Sequence, residues 1–309
     1  YCATGLHLNF MSDSIANFST DARKQQAAEW VSQISAIALP DLQPASSDAS
    51  FRRYFRFIDK GVSYIVMDAP PAHEDCRPFI AVSDLLATWQ LNVPRVLAQD
   101  LVQGYLLLSD LGNTTYLSQL DVAQPEAAKP LYSAAIQALV QMQQSGREQA
   151  LALPAYDEAL LRREMALFHD WYLGTHLGVT LSAMQQVQWQ QVQDYLVAQA
   201  LAQPRVFVHR DYHSRNLMVS APQYGQNPGV LDFQDAVVGA CTYDLVSLLR
   251  DCYIAWPANQ VLAWVGEYAQ QAQAAGIITA QQQDQLPSWF DMMGVQRHLK
   301  AVGIFARLN

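Results

Sequence analysis

The stretch VFVHRDYHSRNLMVS, residues 206–220, sets six polar side chains, His209, Arg210, Asp211, His213, Arg215 and Asn216, between two apolar runs. Val206–Val208 on one side and Leu217–Val219 on the other read as an extended buried segment interrupted by a polar loop. Such an interruption is either a solvated turn or a loop that does chemistry, and the residues further along decide between the two. The run GVLDFQD (229–235) places Asp232 just beyond a second apolar pair, Val230 and Leu231. With SAPQYGQNPG as a turn-rich connection, the two apolar runs form a hairpin that brings Asn216 and Asp232 together. One amide oxygen and one carboxylate suit magnesium, which takes hard oxygen ligands and completes its shell with phosphates and water. Asp211, five residues before Asn216, stands where it can accept a proton from a bound hydroxyl.

The bulk composition is that of an ordinary globular protein. At 309 residues, with 51% apolar and 15% charged residues, the chain is long enough for two lobes and too apolar to be disordered. A net charge of -9 argues against nucleic acid or an anionic membrane as partner. Cys2, Cys76, Cys241 and Cys252 are scattered, with no paired spacing that marks a zinc site, and no run reaches bilayer length. A reducing cytoplasm is the expected location. Met11 opens MSDSIANFSTDARKQQ and reads as a natural start.

Outward from the loop, the two halves of the chain differ in pattern. Thr20 caps a helix whose face carries Ala27, Trp30, Val31 and Ile34. FRRYFRFID (51–59) and VSYIVMD (62–68) form a hairpin around Lys60-Gly61, a helix follows within 70–90, and RVLAQD and GYLLLSDLG add two strands. Beyond Gly112 the pattern is mainly helical: 127–145 closing at Gly146, 155–173 closing at Gly174, 182–202, 242–253, 258–275 and 286–306. The expected fold is α+β and bilobal, with a small antiparallel-sheet lobe at 11–110 and a larger, mainly helical lobe at 111–309.

His209, Asp211 and Asn216 followed by Asp232-Phe233-Gln234 have the spacing H-x-D-x-x-x-x-N and D-F-x of the protein-kinase catalytic and metal loops. Together with SSDASFRRYFR (46–56), MDAPP (67–71), LLLSDLG (106–112), LLRREMALFHDWYL (160–173) and RHLKAVGIFARLN (297–309), they resemble the aminoglycoside phosphotransferase-like small-molecule kinases. These share the bilobal protein-kinase-like fold. The resemblance is closest to the anomeric kinases of N-acetylmuramate and N-acetylglucosamine, which act in cell-wall sugar recycling. It implies ATP and Mg2+, with Asp211 as the base or hydroxyl-orienting residue, His209 as a brace, and Asn216 and Asp232 on the metal. It also implies adenine contacts from the backbone of Leu108, Ser109 and Leu111 at an interlobe hinge. Only eleven residues separate Asp232 from Asp244, too few for a long activation loop, which favours a small-molecule acceptor over a protein.

Two parts of the pattern are missing. SSDASFRRYF, where the phosphate-covering loop falls, has no glycine, so Ser50 and its small neighbours are the candidate donors. Met67 stands where a strand lysine is expected, and Arg52 or Arg53 is the nearest replacement cation. For the acceptor, Glu164, Phe168 and Trp171 are expected on one helix face, a carboxylate beside an indole being suited to a sugar ring. His213 is a further substrate candidate. Arg163, Arg297, His298 and Lys300 are candidate partners for a lactyl carboxylate. Two other readings compete: an aminoglycoside or amino-alcohol kinase, using Asp157, Glu158, Glu164 and Asp170 for a polycation, and a nucleotide-binding pseudokinase.

Overall fold

The computed structural model describes residues 12–35, 37–47, 51–149 and 152–308. In chain order α1 (Ser12–Ile34) leads to β1 (Gln43–Ser47), β2 (Arg53–Asp59), β3 (Val62–Asp68), α2 (Arg77–Thr88), β4 (Val96–Asp100) and β5 (Tyr105–Ser109). The five strands make one antiparallel sheet in the order β1-β2-β3-β5-β4. Asp59 pairs with Val62, so β2 and β3 close through two residues, Lys60 (φ 48°) and Gly61 (φ 82°). Both are left-handed, as a twist-compatible two-residue hairpin requires. Ala27, Trp30 and Val31 of α1 pack with Phe55, Phe57, Val66, Tyr105 and Leu107 to form the core of this unit. Ile34 does not join them and is exposed. The helix begins at Ser12, ahead of Thr20, so Thr20 is no cap. β1 is an addition to the expected strands: QPASS is polar and carries a proline, and an edge strand tolerates both.

The remaining elements are α3 (Tyr116–Gln119), α4 (Pro125–Gln149), α5 (Glu158–Leu167), a π-helix (Phe168–His176), α6 (Ala183–Leu201), β6 (Arg205–Val208), β7 (Leu217–Met218), a 3-10 turn (Pro222–Tyr224), β8 (Gly229–Val230), β9 (Val237–Ala240), α7 (Tyr243–Leu249), α8 (Ala258–Ala274) and α9 (Ala280–Leu308). Leu217 pairs with Val230 and Met218 with Gly229, giving the short hairpin expected around SAPQYGQNPG. Buried β6 pairs instead with β9.

Gly146 does not end its helix. A Cβ there would stand 2.6 Å from that of Phe207, so the glycine lets α4 lie directly on β6 and the helix continues to Gln149. Ser182 and Gln185 form a reciprocal capping box that starts α6.

The contacts divide the chain into two compact units. One runs through Ala81 and takes in Pro94–Asp110; the other contains Val82–Val93 and everything from Leu111. A single cut near residue 110 therefore misplaces Val82–Val93. The Trp89 carbonyl accepts from Gln141 Nε2 (2.6 Å), its ring meets Phe207 edge-on, and Asn92 Nδ2 donates to Ser220 Oγ (2.9 Å), tying this stretch to the mainly helical unit.

Candidate active site

β6 is buried through Val206–Val208 and delivers the chain to His209, which is itself fully buried. His209 Nε2 donates to the Leu231 carbonyl (2.9 Å) and Nδ1 accepts the Asp211 amide (3.2 Å), which fixes the neutral tautomer. Burial pushes the imidazole down to about 4, so it stays uncharged. One ring thus ties the polar loop to the strand that leads into Asp232.

The same backbone is held from below by Asp244 of α7. Its two oxygens accept the amides of His209 (2.6 Å) and Arg210 (3.0 Å). These bonds carry Arg210 through a left-handed conformation (φ 79°) that costs about 1–2 kcal/mol for a non-glycine residue. Burial outweighs the two amides and raises Asp244 to about 7. Further along, Asp251 accepts the Ser214 amide (3.0 Å) and hydroxyl, and Tyr212 donates to the Ala135 carbonyl (2.8 Å). The loop backbone is therefore held at both ends.

Against that scaffold, Asp211 is unsaturated. It is half-buried, and its carboxylate accepts no hydrogen bond among the described residues. Burial would raise it, but Lys300, His213, Arg297 and His209 outweigh that effect and hold it below the ordinary carboxylate range. Asn216 Nδ2 donates to the Asp211 carbonyl (3.0 Å) and to Asp232 Oδ2 (3.2 Å). That orientation leaves Asn216 Oδ1 as a free acceptor beside a carboxylate. Asp232 adopts a left-handed conformation (φ 64°) and accepts Gln234 Nε2 on its other oxygen (2.8 Å). No group of three or more His, Cys, Asp or Glu side chains among the described residues is arranged to hold a metal. Two neighbouring hard oxygens fit magnesium, which draws its remaining ligands from phosphate and water, and do not fit zinc or a calcium cage.

Glu164 has a different place from the one expected. It is buried in α5, where Arg210 Nη2 (2.7 Å), Lys300 Nζ (3.1 Å) and the Tyr156 hydroxyl all meet its carboxylate. Burial would raise it, and Lys300, Tyr156 and Arg210 bring it below its usual value. With both oxygens occupied it positions Arg210 and Lys300 and does not offer itself to a sugar. Trp171 does not share its face. The helix widens into π turns at Phe168, leaving Trp171 exposed while Phe168 stacks on Tyr172 and tilts against Trp189. His213 lies beside Asp211, its ring edge-on to Tyr253 at 5.4 Å and its Nδ1 buried without a partner.

α9 brings Arg297 and Lys300 to this loop from one helix face, three residues apart. A Cβ on Gly303 would stand 2.3 Å from the Leu167 carbonyl carbon, so the glycine allows α9 to approach the end of α5. Of the other candidate cations, Arg163 is exposed and His298 meets the Arg250 carbonyl (3.3 Å).

In the first unit, Met67 is buried in β3 between Tyr54 and Leu106. Arg52 lies 3.8 Å from Glu74, and Arg53 is paired with buried Asp68. Ser50 lies outside the described residues. Leu108 is a core residue of β5; Ser109 gives its amide to the Arg95 carbonyl (2.9 Å) and its hydroxyl accepts the Arg95 amide (2.8 Å). In the second unit, Leu111 is buried.

The residues that sequence reasoning missed are Arg210, Tyr156, Asp244 and Asp251. A signal was present for one of them: Asp244 is the lone acid in TYDLVSLL, a helix otherwise apolar enough to be buried on every side, and such an acid must have partners.

Comparison with known proteins gives a concordant result. A family model described as the phosphotransferase enzyme family matches residues 41–278. An N-acetylmuramate/N-acetylglucosamine kinase of Pseudomonas aeruginosa is 50% identical over 300 residues, covering 94% of this chain and 86% of its own. One from Pseudomonas putida is 48% identical, covering 93% and 85%. Among solved structures, an ethanolamine kinase of Plasmodium vivax aligns with a TM-score of 0.62 at 10% identity, over 92% of this chain and 80% of that one. At so low an identity the last likeness bears on fold alone, and it supports a kinase-like α+β architecture.

Proposed function

Because the chain belongs to the phosphotransferase enzyme family, we propose that it is an ATP-dependent kinase that phosphorylates the anomeric hydroxyl of N-acetylmuramate and N-acetylglucosamine. The observation that carries the reading is Asp211: a carboxylate with no hydrogen-bond donor of its own, on a backbone fixed by His209 and Asp244, beside the Asn216–Asp232 pair. The relatives supply the sugar; the geometry supplies the chemistry.

In this reading Asp211 accepts a hydrogen bond from the C1 hydroxyl and aims its oxygen at the γ-phosphorus of ATP. As the new O–P bond forms, the bond to the bridging oxygen breaks, ADP departs with that electron pair, and the hydroxyl proton passes to Asp211. Phosphoryl transfer has a loose transition state in which the acceptor proton leaves late, so a carboxylate with a lowered pKa suffices. Asn216 Oδ1 and Asp232 are the residues to hold magnesium, which when bound neutralises phosphate charge. Contacts to ATP from Ser50, Arg52, Leu108, Ser109 and Leu111 belong to the same proposal and rest on the sequence resemblance. A role in cell-wall sugar recycling follows from the acceptor.

The competing polycation reading loses its acids. Asp157 caps α5 through the Leu160 amide, Glu158 pairs with Arg162, Glu164 with Arg210 and Lys300, and Asp170 with His169. The charges bearing on Asp211 are positive, which disfavours an aminoglycoside. A pseudokinase has no need of the unsaturated Asp211. The test is a phosphate-transfer screen over amino sugars and aminoglycosides with ATP and magnesium, the product read by phosphorus–carbon coupling in NMR. A C1 phosphate on an N-acetyl sugar is expected. Transfer to another hydroxyl, or to aminoglycosides only, sinks the assignment.

A further inference from the structure

Arg297 is 6% exposed, yet no carboxylate among the described residues forms an ion pair with it. Its Nε is buried without a hydrogen-bond partner; Nη1 reaches only the Cys252 sulfur at 3.9 Å, and the guanidinium stands 6.0 Å from the Tyr243 ring centroid. A buried guanidinium without a counter-ion is costly, and arginines in proteins are rarely left so. Its neighbour Lys300, one helical turn on, is by contrast matched by Glu164 and the Tyr243 hydroxyl (3.0 Å). The unmet charge is close enough to Asp211 and to His213 to act on both. His213 adds a second unmet polar atom, its buried Nδ1, and its ring stands against Tyr253, a residue 41% exposed. Two unsatisfied buried nitrogens on different elements therefore lie near Asp211, the carboxylate proposed to meet the acceptor hydroxyl.

We propose that Arg297, assisted by His213, is the anion-recognition point of the acceptor site and takes the carboxylate of an acidic sugar, here the lactyl group of N-acetylmuramate. The inference rests on the sugar-kinase reading and adds to it a residue that separates the two sugars, since N-acetylglucosamine has no carboxylate. A guanidinium offers a planar pair of donors that matches a carboxylate, and supplying the missing anion cancels the cost of the buried charge only when the acidic substrate is bound.

The test compares three acceptors, N-acetylmuramate, its lactyl methyl ester and N-acetylglucosamine, on the wild type, Arg297→Gln and Arg297→Lys. In the wild type, kcat/KM for the free acid exceeds that for the ester by roughly 10- to 100-fold, the range of a charge-assisted hydrogen bond, mostly through KM. In Arg297→Gln that ratio falls to about 1, and Arg297→Lys restores part of it. Any effect of the substitution on Asp211 is common to all three acceptors and cancels in the ratio. An acid-to-ester ratio near 1 in the wild type overturns the proposal without any variant needing to fold. So does an unchanged ratio in Arg297→Gln, which would leave Arg297 acting through Asp211 alone. Failure of the wild type to phosphorylate either sugar overturns the sugar-kinase reading itself, and this inference with it.

Discussion

The arginines of the sheet unit and the arginine on α9 have opposite fates. In the sheet unit, Arg23 and Arg53 both close on fully buried Asp68, and Arg56 forms a two-pronged pair with Asp110, which also accepts the Ser63 hydroxyl (2.6 Å). Each of these carboxylates has its cation within the unit. Around the loop after β6 the balance is deliberately incomplete: Asp211 has no donor, and Arg297 and His213 keep unpartnered nitrogens. Burial differs as well: the side chains of Arg23, Arg53 and Arg56 are 26–28% exposed, whereas Arg297 is 6% exposed. The other difference is whether the charged groups have partners, and a buried arginine without an ion pair beside a carboxylate that accepts no hydrogen bond points to a ligand.

The comparison breaks most readily at Asp211. Asp211→Asn is expected to lower kcat by about 10²- to 10⁴-fold while leaving the melting temperature in place, because no described residue donates to that carboxylate. Steady-state kinetics with a parallel melting curve checks both halves, and a large drop in melting temperature would make Asp211 part of the frame. Next comes Asp244, which belongs to the saturated side although it sits under the same loop. Asp244→Ala orphans two buried amides and is expected to cost about 2–5 kcal/mol in chemical denaturation, with activity lost alongside.

Asp244 also makes stability depend on pH. Its folded-state pKa of about 7 lies above that of a carboxyl in the unfolded chain, so the folded protein binds the extra proton between the two values. Its contribution is full below the unfolded pKa and declines as pH rises towards 7. His209, held at about 4 by burial, acts in the opposite direction between pH 5 and its unfolded value, so the check is a difference: as pH rises from 5 to 7.5, the denaturant midpoint of the wild type should lose ground against that of Asp244→Asn. The smallest effect is expected in the sheet unit: Arg23→Leu leaves Asp68 its second partner, Arg53, and should cost about 1 kcal/mol with turnover unchanged.

What could be read from the sequence was local. The spacing of His209, Asp211 and Asn216 and the hairpin that returns Asp232 are set by neighbouring residues, and the Asn216–Asp232 contact of 3.2 Å follows from them. The β2–β3 hairpin was legible for the same reason, since Lys60-Gly61 admits few turns. The links that hold the loop join residues dozens of positions apart, as with His209 and Asp244 or Arg210 and Glu164, and no periodicity records them. Gly146 misled because its reason is the close approach of Phe207 from another element, and Trp171 because nothing in FHDWYL announces a π turn. Val82–Val93 went to the wrong side of the boundary because the bonds of Asn92 and the Trp89 carbonyl are made far along the chain.

α9 carries one further consequence. Lys300 and Arg297, the cations that balance Glu164 and act on Asp211, come after every other residue of the loop region in chain order. During synthesis the chain emerges from its N-terminus, so Glu164 and Asp211 leave the ribosome well before these two cations. Until then Glu164 has only Arg210 and the Tyr156 hydroxyl. The site becomes electrostatically whole only once α9 has emerged, well after the loop that it serves.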